Sequence, residues 1–233
     1  MRSSVWSALG NTYVVVEPDP GRPLDPAHAH ALVGETDGIV EVVSASVEDI
    51  SIVIWNPDGS HAELSGNGTR IAAAWLAVRT GAVRISVHVG AREIIARVLE
   101  DGAIEQDLGE VQVGPREVVA GIAFVPVSVG NPHAVVTGDP EEIVRIGPLL
   151  ETHPRFPSRT NVQVVRIDGP GEVTARVWER GVGETASSGT SAVAVAAATH
   201  DAGEVVVHFP GGDLRVRLEN GRARLTGPAE RVR

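Results

Sequence analysis

Residues 63–70, ELSGNGTR, place a serine and a glycine-rich turn directly before an alanine-rich segment with helical spacing. The same arrangement returns at residues 187–191, SSGTS, again before an alanine-rich segment. In each copy a tryptophan precedes the serine by ten residues, as Trp55 precedes Ser65. Two copies of one strand–loop–helix unit predict a chain built from two similar halves.

A second pair of matching stretches supports this repeat. LGNTYVVV at residues 9–16 resembles VGNPHAVV at residues 129–136, and both pairs share an offset near 120 residues. We therefore predict an N-terminal half over residues 1–115 and a C-terminal half over residues 116–233, each with one of the two serines. The last strand of the chain is a candidate to pair with the first half.

The local patterns predict the fold class. Only residues 67–80 and 189–200 have convincing helical spacing, and Gly81 is the expected stop of the first helix. Many strands with two long helices predict an α+β fold, in which each half is a curved, mostly antiparallel sheet around a central helix. The β-branched runs that predict strands are TYVVVE, ISIVIW, EIIARVL, VQVVRI, VTARVW, EVVVHF and LRVRL.

Composition excludes several classes of function. A net charge of −10 leaves no basic surplus for phosphates, so no nucleic-acid partner is expected. The longest apolar stretch, residues 192–198, is too short to span a bilayer, and residues 1–11 do not resemble a signal peptide, so a cytoplasmic protein is expected. Without cysteine or lysine, the chain has no thiolate metal site, thiol nucleophile or Schiff-base chemistry.

The repeat also suggests a shared binding site. If the two halves face each other, two helix N-termini point into one cleft, where unpaired backbone amides form an anion hole suited to a carboxylate. Ser65 and Ser188 would then flank the ligand, a geometry for moving a proton off one face of a carbon and returning one to the other. Because serine is also a common N-cap, a capping role is the alternative for each. The predicted amide donors are Gly66, Asn67, Gly189 and Thr190.

Further polar residues follow the same repeat. Asn11 and Asn131 each come after a glycine, while Asn56 and Glu179 each come directly after the repeat's tryptophan. Asparagine is common in turns for local reasons, but a set that respects the repeat favours a shared site. The complete set is Asn11, Asn56, Asn131, Asn161, Glu179 and Arg180.

These motifs resemble those of a known family. NPDGSHAELSGNGTR at residues 56–70 and ERGVGETASSGTSA at residues 179–192 resemble the two active-site motifs of the diaminopimelate epimerases. VSVGNPHAVV, HPRFPSRTNV, FPGGDL and LTGPA resemble further family landmarks in their usual order. The resemblance implies a pseudo-symmetric two-domain fold and inversion of LL-diaminopimelate to the meso form, for lysine and peptidoglycan synthesis. It implies no cofactor and no metal, and a small amino-acid substrate; a homodimer is an open expectation.

The resemblance also implies roles for individual residues. The family's two catalytic cysteines fall on Ser65 and Ser188, and His153 and Glu179 match polarising residues beside that acid–base pair. Positions that hold the substrate fall on Asn11, Asn56, Asn131, Asn161, Glu179 and Arg180. Positions that bind the reacting carboxylate through backbone amides fall on Gly66, Asn67, Gly189 and Thr190.

Serine at both cysteine positions changes the expected chemistry. An alkoxide costs roughly 7 kcal/mol more than a thiolate at these sites, and a helix N-terminus recovers only about 0.3 to 2 kcal/mol. We therefore expect a poor epimerase unless His153 or Glu179 acts as the base. Four interpretations stay open: an epimerase whose thiols were replaced, a slower homologue acting on a related amino acid, an amino-acid binder without turnover, and an isomerase or dehydratase of a proline-like substrate.

Overall fold

The structure is a computed structural model that describes residues 2–17, 21 and 23–232. It divides into two compact units, Met1–Asp107 with Thr226–Arg233, and Leu108–Leu225. The domain boundary predicted near residue 115 remains a prediction.

The first unit is a mixed sheet with two helices. Antiparallel pairs join β1 to β2, β3 to β4, β5 to β6, β6 to β7 and β1 to β18, while β2–β3 and β4–β5 are parallel. The strands are β1 (Ser3–Ala8), β2 (Asn11–Val16), β3 (Gly38–Ala45), β4 (Asp49–Trp55), β5 (Arg84–Val89), β6 (Arg92–Val98), β7 (Ile104–Glu110) and β18 (Glu230–Arg231). The helices are α1 (Pro26–Val33) and α2 (Gly66–Thr80).

The second unit repeats this plan. Its strands are β8 (Gln112–Val113), β9 (Glu117–Val119), β10 (Ile122–Ser128), β11 (Pro132–Thr137), β12 (Asn161–Gly169), β13 (Glu172–Glu179), β14 (Gly183–Thr185), β15 (Gly203–Phe209), β16 (Gly212–Glu219) and β17 (Arg222–Gly227). Its helices are α3 (Ile143–Glu151), preceded by the 3-10 turn Pro140–Glu142, and α4 (Gly189–Thr199). The series β10–β11–β12–β13–β15–β16 alternates antiparallel and parallel pairs, as β1–β6 do. The predicted repeat of topology is therefore confirmed, with parallel pairs inside each mixed sheet.

The helix of each predicted repeat unit lies at the centre of its own sheet. Every residue from 66 to 76 in α2 and from 189 to 196 in α4 is buried. Over these residues both helices are enclosed on all sides, and their alanine-rich sequences allow the surrounding strands to approach closely. Both predicted helices are confirmed: Gly81 ends α2 in the left-handed conformation, and His200 caps α4.

Sequence patterns missed the two shorter helices. α1 has only eight residues, although Asp25 accepts from the His28 N–H as its N-cap and Pro26 is its first residue. α3 contains Pro148, a residue that normally argues against a helix interior. The longest helix, α2, has 15 residues, and within the described ranges no helix is long and apolar enough to cross a membrane.

Candidate functional site: two serine loops at helix N-termini

Ser65 is the N-cap of α2. Its extended backbone starts the helix, and its Oγ accepts from the Gly68 N–H at 3.1 Å. The same Oγ lies 3.1 Å from the phenol oxygen of Tyr13 on β2. The capping role considered from the sequence is therefore present, and the hydroxyl also has an acidic partner.

Arg70 lies fully buried one turn further into α2. Its Nη2 donates to the side-chain oxygen of Asn67 at 2.7 Å, which fixes Asn67 at the first turn. Burial lowers the pKa of Arg70 to about 10, and the nearby Tyr13 phenol acts in the opposite direction. Since that value is well above neutrality, Arg70 is a buried cation beneath the Ser65 loop.

Ser188 occupies the matching N-cap position of α4 but behaves differently. Its carbonyl accepts from the Ala192 N–H at 2.9 Å and so begins the helix. Its side chain is 4% exposed and makes no capping hydrogen bond. A capping role therefore does not account for the Ser188 hydroxyl.

A chain of buried and half-buried polar side chains runs to the first turn of α4. Asn131 Nδ2 donates to Thr190 Oγ1 at 3.3 Å, and Asn131 Oδ1 lies 2.9 Å from His133 Nε2. Gln163 Nε2 lies 3.0 Å from His133 Nδ1 and donates to Ser191 Oγ at 2.9 Å. Burial lowers the pKa of His133 to about 3, so its ring is neutral and donates from Nε2 to Asn131. Two predicted site residues, Asn131 and Thr190, are thus joined and oriented.

Asn161 holds the turn after β13. Its amide donates to the Pro132 carbonyl at 2.9 Å, and its oxygen accepts from the Arg180 N–H at 3.0 Å. Arg180 in turn donates to the Ser158 carbonyl at 3.3 Å. These bonds tie Asn161 and Arg180, both predicted to hold substrate, to each other and to the start of β11.

The buried carboxylate of Glu151 supports the same turn. It accepts from Trp178 Nε1 at 2.7 Å and from the Gly181 N–H at 2.8 Å, with Arg159 at 3.3 Å. The first unit contains a related bond, since Trp55 Nε1 donates to Glu41 at 2.9 Å. Each tryptophan of the repeat is therefore fixed by a carboxylate.

The other predicted site residues lie as follows. In the second unit, Glu179 accepts a hydrogen bond from Thr185 Oγ1 at 2.6 Å. In the first unit, Asn56 donates to Ser60 Oγ at 2.9 Å within a turn. His153 follows α3, where its Nδ1 accepts from the Arg155 N–H at 3.1 Å. Asn11 begins β2 and is 3% exposed.

The second unit also contains an open pocket of about 520 Å³. Asn131 is the predicted substrate-holding residue on its wall, and His133 lies beside it. Arg155, bonded twice to Glu117 at 2.8 Å, and Phe156 line another part. The pocket gives the Asn131 loop space for a small ligand.

Sequence patterns did not single out several residues at these loops, among them Tyr13, His133 and Glu151. The first two had a signal in the repeat, because Tyr13 follows Asn11 by two residues and His133 follows Asn131 by two. Glu151 had none, since Trp178 and Gly181, which it holds, lie 27 and 30 residues away along the chain.

Comparison with known proteins identifies the family. The diaminopimelate epimerase family model matches residues 3–114 and 125–232. The chain is 36% identical to the diaminopimelate epimerase of Desulforudis audaxviator, over 100% of this chain and 97% of the relative, and 36% identical to that of Pelotomaculum thermopropionicum, over 96% and 94%.

Solved structures share the fold at lower identity. A "Predicted Epimerase" from Pseudomonas aeruginosa superposes with a TM-score of 0.81 at 19% identity, covering 100% of this chain and 97% of that one. A hydroxyproline epimerase from Agrobacterium vitis gives 0.71 at 15% identity, covering 99% and 88%. Together with the family model and the full-length relatives, the repeated loops lead to one conclusion: the chain belongs to the diaminopimelate epimerase family.

Proposed function

We propose that the protein inverts one α-carbon of diaminopimelate, interconverting the LL and meso forms without a cofactor. The observation that carries the proposal is the family match across both halves, including both serine loops at the N-termini of α2 and α4. The relatives that match nearly the whole chain are named diaminopimelate epimerases. The proline-type alternative has support only from structures at 15% identity, which share the fold.

The proposed chemistry needs a carboxylate held at helix N-termini. Removing a proton next to a carboxylate places negative charge on that group, and the first-turn amides of two helices stabilise such charge. Ser65 and Ser188 are the proposed proton carriers on the two faces of the carbon. The proposed amide donors are Gly66, Asn67, Gly189 and Thr190, and the proposed substrate-holding side chains are Asn11, Asn56, Asn131, Asn161, Glu179 and Arg180.

The reaction is expected to be slow. Serine in place of cysteine raises the free energy of the ionised side chain by roughly 7 kcal/mol, and helix dipoles return at most about 2 kcal/mol of this. His153 and Glu179 remain proposed polarising residues. A cytoplasmic location and a homodimer are further parts of the proposal; light scattering after size-exclusion chromatography tests the latter.

The decisive experiment measures deuterium uptake at the α-carbon. The protein is incubated in D2O with LL- or meso-diaminopimelate, alongside the double variant Ser65→Cys/Ser188→Cys. We expect slow uptake by the parent chain and a large increase in the double variant, because a thiol ionises far more readily than an alcohol. Calorimetry measures binding separately from turnover.

Ser86 provides the matched control, since its exposed hydroxyl on β5 bonds Glu93 at 2.9 Å. Ser86→Cys adds a thiol elsewhere and should leave the rate unchanged. Rapid uptake by the parent chain would disprove the energetic argument about serine. Absence of both binding and uptake, even with the cysteines restored, would disprove the proposed substrate.

A further inference from the structure

We propose that Tyr13 is a positioning residue for Ser65, and that its phenol and the Ser65 hydroxyl exchange a proton as one acid–base pair. This inference rests on the proposed epimerase reaction and adds a second group to its Ser65 face. The two oxygens lie 3.1 Å apart, within hydrogen-bonding distance. Tyrosine ionises near pH ~10, far more readily than an aliphatic alcohol, so the pair can lower the barrier that serine alone imposes.

The sheet directs the Tyr13 ring toward this loop. Tyr13 on β2 pairs with Gly38 on β3, and a Cβ at position 38 would lie 2.8 Å from the ring's Cε1. It would also lie 2.7 Å from the Trp55 carbonyl. Glycine at position 38 therefore leaves free the volume that the Tyr13 ring occupies in this orientation.

Arg70 supplies the charge that such a pair requires. Its guanidinium is fully buried, and its Nη1 has no hydrogen-bond partner within the described ranges. Burial lowers the pKa of Arg70, and the Tyr13 phenol opposes this shift. A negative charge on Tyr13 would form beside the N-cap of the helix whose first turns carry the buried Arg70 cation.

Other charged groups near β2 already have partners of their own. The strand β1 carries no charged side chain, and the carboxylates on and beside β2 and β3 are engaged elsewhere. These are Asp37 with the Thr12 N–H at 2.7 Å, Glu41 with the Leu24 N–H at 2.8 Å and with Trp55, and Glu17 with Arg79 at 2.9 Å. These carboxylates are therefore bonded to other groups, whereas Arg70 Nη1 has no hydrogen-bond partner among the described residues.

The proton transfer balances without a further reactant. When Ser65 acts as base, its Oγ takes the proton from the substrate α-carbon while its own hydroxyl proton passes to the Tyr13 phenolate. The C–H bond breaks, its electron pair stays on the carbon, and Tyr13 becomes neutral. In the reverse direction Tyr13 donates to Ser65 Oγ, and Ser65 donates to the carbon. The Gly68 N–H stabilises charge on Oγ during either step.

The second unit places a titratable ring at the equivalent position. His133 is two residues after Asn131 and pairs with Asn161 in the parallel β11–β12 pair, as Tyr13 pairs with Gly38 in β2–β3. His133 connects through Asn131 to the first turn of α4. The same register position thus carries a ring side chain near each loop: Tyr13 bonds directly to Ser65, whereas the neutral ring of His133 connects to Thr190 through Asn131.

Because Tyr13 is the single tyrosine of the chain, it can be altered selectively. Tyr13→Phe keeps the ring and removes the hydroxyl, and we expect α-deuterium uptake to fall about 100-fold. Global incorporation of fluorotyrosine changes only position 13 and makes its phenol more acidic. The alkaline limb of the rate–pH profile should then shift to lower pH, a change that a purely structural tyrosine would not produce.

Fluorine NMR provides a readout that does not depend on turnover. In the fluorotyrosine protein, Ser65→Ala should change the pH at which the ring signal titrates, whereas Ser86→Ala should not. The inference is overturned if Ser65→Ala leaves this titration unchanged, or if uptake proceeds and Tyr13→Phe leaves it unchanged. If the protein does not bind diaminopimelate but Ser65→Ala still changes the titration of Tyr13, the proposed substrate is wrong and the Tyr13–Ser65 pair is supported.

Discussion

Glu151→Gln is expected to destabilise the protein by about 2 to 3 kcal/mol. The carboxylate is 7% exposed and uses both oxygens, one for Trp178 Nε1 at 2.7 Å and one for the Gly181 N–H at 2.8 Å. Glutamine has nearly the same shape, but its NH2 group must face one of these two donors. The variant loses one hydrogen bond to a charged acceptor, worth roughly 1.5 to 3 kcal/mol, and leaves a buried N–H unpaired.

Urea unfolding followed by tryptophan fluorescence measures this loss. Glu142→Gln is the matched control, because that carboxylate is 45% exposed and forms an ion pair with the exposed Arg145 at 2.9 Å. Its removal should change the unfolding free energy by no more than about 0.5 kcal/mol, since water screens the pair. Diaminopimelate binding should weaken in Glu151→Gln and not in Glu142→Gln, because Glu151 holds the turn that carries Arg180. Equal stability of the two variants would refute the reasoning.

Two further perturbations test the second unit. Hydrogen bonds to Asp213 and then Glu172 raise the pKa of His208 above 6.5, its ordinary value in the unfolded chain. The protonated ring therefore stabilises the fold fully at pH values below 6.5. This stabilisation is lost as the pH rises through the pKa of the folded state. His208→Gln should flatten the dependence of the urea midpoint on pH from about 6 to 9, and an unchanged slope would contradict the assignment. Gly147→Ala would place a Cβ 2.6 Å from Trp178 Cγ, so thermal unfolding should show a loss of about 1 to 3 kcal/mol from overpacking; a neutral result would show that α3 can shift.

Local patterns in the sequence predicted much of the fold. The repeat, the strands and the two central helices follow from residue spacing, and Gly81 ends α2 as expected from its freedom at positive φ. The family was likewise recognised from the sequence, because its motifs are stretches of contiguous residues. The helix α3 was not predicted, because Gly147 and Pro148 are residues that disfavour a helix interior. In the structure this helix is stabilised by packing against Trp178.

The sequence alone determined that this protein has two related halves, each with a serine before a buried helix. Only the tertiary structure decided how the two serines differ: Ser65 caps its helix by accepting from the Gly68 N–H and is bonded to Tyr13, while the Ser188 side chain makes no capping bond. Residue spacing along the chain predicts strands, with a period of two, and helices, with a period of 3.6 residues. It does not predict the contact between Tyr13 and Ser65, which are 52 residues apart. Such contacts arise from strand register and burial, which local preferences do not specify.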